Sequence, residues 1–260
     1  MTEPVFARPS SSVILVRDGS DGLEMFLVRR HEQSGFANRA YVFPGGSVIN
    51  SDSSNSSTSL SRSLTPEDAA SILRVRGDVT PDDPVHCLSF WVAAARELLE
   101  EAGVLVHDES RRPSVSEIAQ ARLGTLNDGD QFAHSVRALG VGLSLERLIY
   151  FSHWRTPAQS PKRYDTRFFL TAMPDGQEAS HCGIETTDSL WATPREALAR
   201  GEASDFRLVY PTRAHIERFL PYQTVDQLLD FARAKSIRCV DPIIAPDRSV
   251  SIHPEIVACW

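Results

Sequence analysis

The chain has 260 residues, 42% of them apolar and 23% charged, and a formal net charge of −7. This length and balance fit a globular protein with a full core, and the acidic excess argues against a general nucleic-acid or anionic-membrane binder. No apolar run approaches the roughly 20 residues needed to cross a bilayer. Met1-Thr2-Glu3-Pro4 lacks the basic-then-apolar layout of a leader, and the tail Val257-Ala258-Cys259-Trp260 carries no Ser-Lys-Leu address. Cys87, Cys182, Cys239 and Cys259 are scattered with no Cys-x-x-Cys pair, which reads as reduced thiols and a cytoplasmic location, not a disulfide frame or zinc site.

Residues 12–17 and 23–29 are apolar and β-prone, and the turn formers Asp18 to Gly22 between them predict a hairpin. Arg29, Arg30 and His31 follow, then the segment Gln33-Ser34-Gly35-Phe36. Tyr41-Val42-Phe43 predicts a short strand ending at Pro44-Gly45-Gly46. The Ser-rich run from Asn50 to Ser59 has little to bury against its ordering entropy, so it reads as a mobile loop. Thr65-Pro66-Glu67-Asp68 predicts an N-cap with Pro at the first helical position and a helix to about Val75. Pro81 to Pro84 breaks the chain, and a helical pattern runs from Val85 to Ala102.

That helix carries Glu97, Glu100 and Glu101 on one face and Trp91, Ala95, Leu98 and Ala102 on the other, with Gly103 placed to end it in a left-handed conformation. Three neighbouring carboxylates repel unless compensated. The cluster is either a solvated acidic face or the oxygen-ligand set of a hard divalent cation such as Mg²⁺. Beyond it, residues 114–126 and 129–139 predict helices, 145–154 and 166–172 strands, and 189–191 a strand followed by a Thr193-capped helix. Residues 211–220 and 224–235 again predict helices, and the final 20 or so read as an irregular tail. Neither a repeat nor a clear linker divides the chain.

The stretch Arg96-Glu97-Leu98-Leu99-Glu100-Glu101-Ala102-Gly103-Val104 resembles the second half of the Nudix box, the signature of Nudix hydrolases. The Gly and Glu that begin the family pattern fall by distance on Asp82 and Leu88, whereas Phe43-Pro44-Gly45-Gly46 resembles its opening, so about 36 residues are inserted inside the motif. An enlarged box marks the coenzyme A diphosphatase branch. The stretch from Arg30 to Phe36 through Gly46 also resembles that branch, and Pro161-Lys162-Arg163-Tyr164-Asp165-Thr166-Arg167-Phe168-Phe169 resembles its second signature. Ser189-Leu190-Trp191 followed by Pro194 resembles the end of the fold.

The resemblance implies an α/β Nudix fold, a mixed β-sheet sandwiched between helices, as one elaborated domain over 1–260. Residues 47–90 would be an insertion within the box, serving as a lid, an interface or tolerated length, and 205–260 a C-terminal helical extension. It implies Mg²⁺ or Mn²⁺ held by Glu100 and Glu101, with Glu97 a further ligand or water-orienting group. The Gly46 carbonyl would lie near the metal, and Arg96 would fix a neighbouring Glu. Glu67 is a candidate stand-in for the box Glu absent at Leu88, and Glu185 is a candidate catalytic carboxylate.

Arg29, Arg30, Arg39, Arg163 and Arg167 are candidates for substrate phosphates, and Tyr41, Phe43 and Tyr164 for stacking on an adenine. His31, His153 and His181 lack metal-ligand spacing. The implied reaction is hydrolysis of a nucleoside diphosphate linked to a second group, with coenzyme A or an acyl derivative first. ADP-ribose or NAD(H) is the enzymatic alternative, and a non-catalytic nucleotide-binding module the alternative of another class. The partner is a small molecule, with no nucleic acid and no membrane. Monomer and homodimer both stay open.

Overall fold

Unbroken burial along the middle of the first strands sets the layers. The computed structural model describes residues 5–32, 38–77, 83–203, 206–247, 249–257 and 260. Gln33 to Phe36, the Pro81 break, Asp82 and Cys259 lie outside them. β1 (Arg8–Gly19) turns into β2 (Gly22–Arg30) with Val16 opposite Met25; Gly22 takes φ 112° there, which its missing Cβ permits. Val13, Leu15, Phe26 and Val28 enter one core, and Ile14, Val16, Met25 and Leu27 the other. The period of two therefore gives a sheet buried on both faces.

β3 (Tyr41–Val42) and β4 (Gly45–Ser47) follow, then the short helix α1 (Asn55–Thr58), α2 (Pro66–Val75) and α3 (Pro84–Glu97). After α4 (Val115–Asn127) and α5 (Phe132–Ala138) come β5 (Ile149–Arg155), β6 (Tyr164–Ala172), β7 (Thr186–Ala192), α6 (Pro194–Gly201), α7 (Tyr210–Phe219) and α8 (Val225–Ala234). Three two-residue strands, β8 (Cys239–Val240), β9 (Ile243–Ile244) and β10 (Val250–Ser251), and α9 (Pro254–Val257) complete the chain.

The sheet order is β3-β2-β1-β6-β5-β8, with β4 also on β1 and β7 on β2. β1 runs parallel to β6, and β5 to β8; the other pairs in this sheet are antiparallel. Side chains of α3 and its neighbours fill one core, those of α6, α7 and α8 the other. This is the mixed sheet between helices that the resemblance implies.

Three expectations change. The Ser-rich run is not a loop. Residues Asn50–Ser53 form a 3₁₀ turn and α1 follows directly, with Ser54 capping it by accepting from the Ser57 N–H. Asp52 is 1% exposed. Serine hydroxyls satisfy the local backbone, and one buried ion pair anchors the run. The Glu helix is not amphipathic either: every residue from Cys87 to Glu97 is buried, because β1, α2 and the Asn50 turn surround α3. The C-terminal tail is tied down, with Trp260 packing edge-on against Trp154 at 4.8 Å. Among the described residues no helix is long and apolar enough to cross a membrane.

Candidate active site

The Glu cluster sits where α3 gives way to a π-helical turn, Leu98–Ala102, closed by Gly103 in the left-handed conformation at φ 69°. Glu97, Glu100 and Glu101 are brought together there. Arg96 holds the first two: its Nη1 donates to Glu97 Oε1 at 2.8 Å and Glu100 Oε2 at 3.0 Å. Its Nε and Nη2 donate to Asp52 Oδ1 and Oδ2 at 2.9 and 3.0 Å, and Nη2 also reaches the Ser47 carbonyl at 2.9 Å. Glu101 Oε2 accepts the Gly45 N–H at 2.9 Å. Each of the three glutamates thus has one oxygen committed, and its other oxygen takes no hydrogen bond among the described residues.

Gly46 lies over this cluster. A Cβ there would stand 2.3 Å from Glu97 Oε1 and 2.6 Å from its Cδ, so only glycine lets β4 approach the carboxylate.

The electrostatics are unbalanced. Arg96 alone meets Asp52, Glu97 and Glu100, and Glu101 has the charge of Arg30 but no direct ion pair among the described residues. Burial raises Glu97 and Glu101 above the usual carboxylate range. It also pushes Glu100 up to about 8, with the charges of Glu97 and Glu185 adding and Arg96 opposing. Buried anions in excess of their cations call for a further cation. The uncommitted oxygens are hard donors of the kind Mg²⁺ and Mn²⁺ take, so the residues fit such an ion.

The cluster opens on a cavity of about 740 Å³. Gly45, Gly46, Glu97, Glu100, Glu101 and the exposed Glu185 line it, as do Arg30, Phe43, Arg155 and Arg207. Apolar lining comes from Trp154, Tyr164, Tyr210, Pro242, Ile244 and Val250. His215 fixes the wall at the start of α7. Its Nδ1–H donates to the Pro211 carbonyl and its Nε2 accepts from Ser152 Oγ, both at 2.6 Å, and burial holds the ring neutral by lowering its pKa to about 3.

Five predicted substrate residues are not among those lining the cavity. Arg29 pairs across the sheet with Tyr41 and Asp188. Arg39 is exposed and bonds Glu32. Tyr41 stacks on Phe206 at 4.1 Å and donates to Asp188 Oδ2 at 2.5 Å; burial, then Asp188, push its hydroxyl up to about 12. Arg163 donates to the Thr156 and Val5 carbonyls. Arg167 is 2% exposed, lies 3.9 Å over the Phe90 ring and reaches Asp165 Oδ2 at 3.2 Å. In β6 the cavity takes Tyr164, Thr166 and Phe168, so the pleat turns Arg167 to the other face. Leu88 is in the core, and Glu67 is exposed on α2, off the cavity. The buried acid beside the cluster is Asp52, which sequence reasoning missed. Its one local signal is the reciprocal turn in which Asp52 Oδ2 accepts the Ile49 N–H.

A family model described as the NUDT19 Nudix domain matches residues 7–219. The chain belongs to this Nudix family. Among curated relatives, a putative Nudix hydrolase 7 from Caenorhabditis elegans is 26% identical over 156 residues, covering 59% of this chain and 52% of the relative. An acyl-coenzyme A diphosphatase NUDT19 from Xenopus laevis is 23% identical over 269 residues, covering 91% and 71%. The chain therefore spans from about half to about seven-tenths of the lengths of these relatives. A crystal structure of a Nudix hydrolase from Alicyclobacillus acidocaldarius superposes with a TM-score of 0.70 at 24% identity, over 87% of this chain and 96% of the other, and it shares the Nudix fold.

Proposed function

We propose that this Nudix domain is a metal-dependent diphosphatase that hydrolyses coenzyme A or an acyl-coenzyme A. The observation that carries the reading is the cluster of Glu97, Glu100 and Glu101, only partly compensated by Arg96, opening on a cavity of nucleotide-ligand size. The family match and a relative named as an acyl-coenzyme A diphosphatase support the substrate class.

The uncommitted oxygens of Glu97, Glu100 and Glu101, with the Gly46 carbonyl, would hold Mg²⁺ or Mn²⁺. Such an ion supplies charge neutralisation for the diphosphate and an acidified water. Arg96 orients Glu97 and Glu100, and Asp52 orients Arg96 in turn. Glu185 lies close enough for its charge to raise the pKa values of all three glutamates, which supports assigning it the proton of the attacking water. Arg30 and Arg207 are the cavity-lining cations for substrate phosphates, since Arg155 is held by Asp241. Tyr164 offers a face for an adenine, whereas Phe43 is packed into the core, and the C-terminal apolar wall suits the second group.

The test is hydrolysis of coenzyme A, an acyl-coenzyme A, dephospho-coenzyme A, ADP-ribose and NADH with Mg²⁺ and with Mn²⁺. The expected products from coenzyme A are phosphopantetheine and adenosine 3′,5′-bisphosphate. Faster cleavage of ADP-ribose or NADH under both metals overturns the substrate class. Binding without cleavage of any of them would make the domain a sensing module.

A further inference from the structure

On the sheet face turned away from the cavity, three strands bring together donors that the diphosphate chemistry does not use. His153 is on β5, Asp165 on β6 and Cys239 on β8, with His153 opposite Cys239 in the ladder. His153 Nε2 lies 2.5 Å from Asp165 Oδ1 and 3.8 Å from Cys239 Sγ, and all three donor atoms lie within 4.8 Å of one another. One ring nitrogen thus faces both a carboxylate and a sulfur. Relay catalysis would put the carboxylate on the other nitrogen. Convergence on a common point is a ligand arrangement.

We infer that His153, Asp165 and Cys239 form a second metal site, selective for Zn²⁺ and distinct from the glutamate cluster. An imidazole, a thiolate and a carboxylate make a borderline-soft donor set that disfavours Mg²⁺. Tetrahedral Zn²⁺ places such donors roughly 3.3–3.6 Å apart. The carboxylate must therefore draw back from the ring by about 1 Å while the sulfur moves in by a few tenths, shifts within the reach of side-chain rotation.

The surroundings prepare the ligands. Arg167 takes Asp165 Oδ2 and leaves Oδ1 toward the ring, the outer contact that orients a ligating carboxylate. His153 is 3% exposed, so its ring is held by packing. Asp241 holds the guanidinium of Arg155, two residues along β5 from His153, with two bonds of 2.7 Å. Binding would displace the proton between His153 and Asp165 and that of the thiol. The site would join β8, beyond the matched family region, to β5 and β6 within it. Sequence spacing cannot reveal it, because its ligands are 12 and 86 residues from His153.

The test is Co²⁺ titration of the chelator-stripped 260-residue chain, read by absorption. A sulfur-to-cobalt charge-transfer band saturating at one Co²⁺ per chain is expected, with Zn²⁺ abolishing it and excess Mg²⁺ leaving it. Cys239→Ser should abolish the band and weaken Zn²⁺ binding about 100-fold or more, since even outer contacts contribute 10–100-fold. Cys182→Ser, a thiol on the cavity, should keep the band. Glu100→Gln should keep it too. A band that survives Cys239→Ser but is lost in Cys182→Ser, or no band at all in protein with a native melting curve, overturns the inference and leaves a structural ion pair.

Discussion

Replacing Asp52 by Asn removes one charge from the buried network around Arg96 and changes little else in shape. Asp52 supplies two charge-assisted bonds, at 2.9 and 3.0 Å, to a guanidinium whose side chain is 4% exposed. Removing a buried partner outright costs about 3–5 kcal/mol. Asn keeps one acceptor, and Arg96 keeps Glu97, Glu100 and the Ser47 carbonyl, so the expected loss is about 2–3 kcal/mol. At about 2–4 °C per kcal/mol for a chain of this size, melting should fall by roughly 4–12 °C. The charge Arg96 shared with Asp52 then bears on Glu97 and Glu100 alone, and Mg²⁺ binding should weaken about tenfold. Scanning fluorimetry and isothermal titration on Asp52→Asn, with Glu67→Gln as the exposed control, read both effects. The reasoning fails if the two variants melt within a degree of each other.

Glu100→Gln and Glu101→Gln should each lower kcat about 100-fold or more, roughly 2.7 kcal/mol of lost transition-state stabilisation, with the fold retained by circular dichroism. Gly46→Ala drives a Cβ into Glu97 and should cut kcat/KM about 10–100-fold without large loss of stability; wild-type kinetics would show that β4 yields freely. Glu100 titrates near 8 because of burial, and metal binding needs its anion. Apparent Mg²⁺ affinity should therefore fall as pH drops below about 8, by up to about tenfold per unit for one displaced proton, and calorimetry showing no dependence between about pH 8 and 6 would refute it. Residues 50–63 should resist brief trypsin and thermolysin digestion, since Asp52, Ser57 and Leu60 are buried; a first nick there would contradict the ordered turn.

Local signals were legible in the sequence. The hairpin, the Thr65 and Thr193 caps and the left-handed Gly103 depend on neighbours a few residues away. The glutamates were legible as a group because a helix fixes their relative directions. The arginines were not, because a strand residue faces the cavity or the opposite core according to pairing with distant strands, as Arg167 and Thr166 show. Asp52 was hidden for a related reason: a serine-rich run looks unable to bury anything until a guanidinium 44 residues on arrives to meet it. His215 was likewise invisible, since its neutrality comes from Ser152 and a core assembled from α7 and the sheet.

The parallel pairing of β1 with β6 has a consequence for how the protein is made. β1 occupies the middle of the sheet, yet Arg8 finds its partner only at Tyr164. At ribosomal speeds of about 5–20 residues per second, that partner emerges roughly 8–30 seconds later. Meanwhile the β1–β2 hairpin presents an apolar strand edge built for the interior, and nothing local can cover it. Nascent chains are therefore most exposed to aggregation before residue 172 leaves the tunnel. Slower synthesis or a holdase acting on the first strands should raise soluble yield more than any surface substitution.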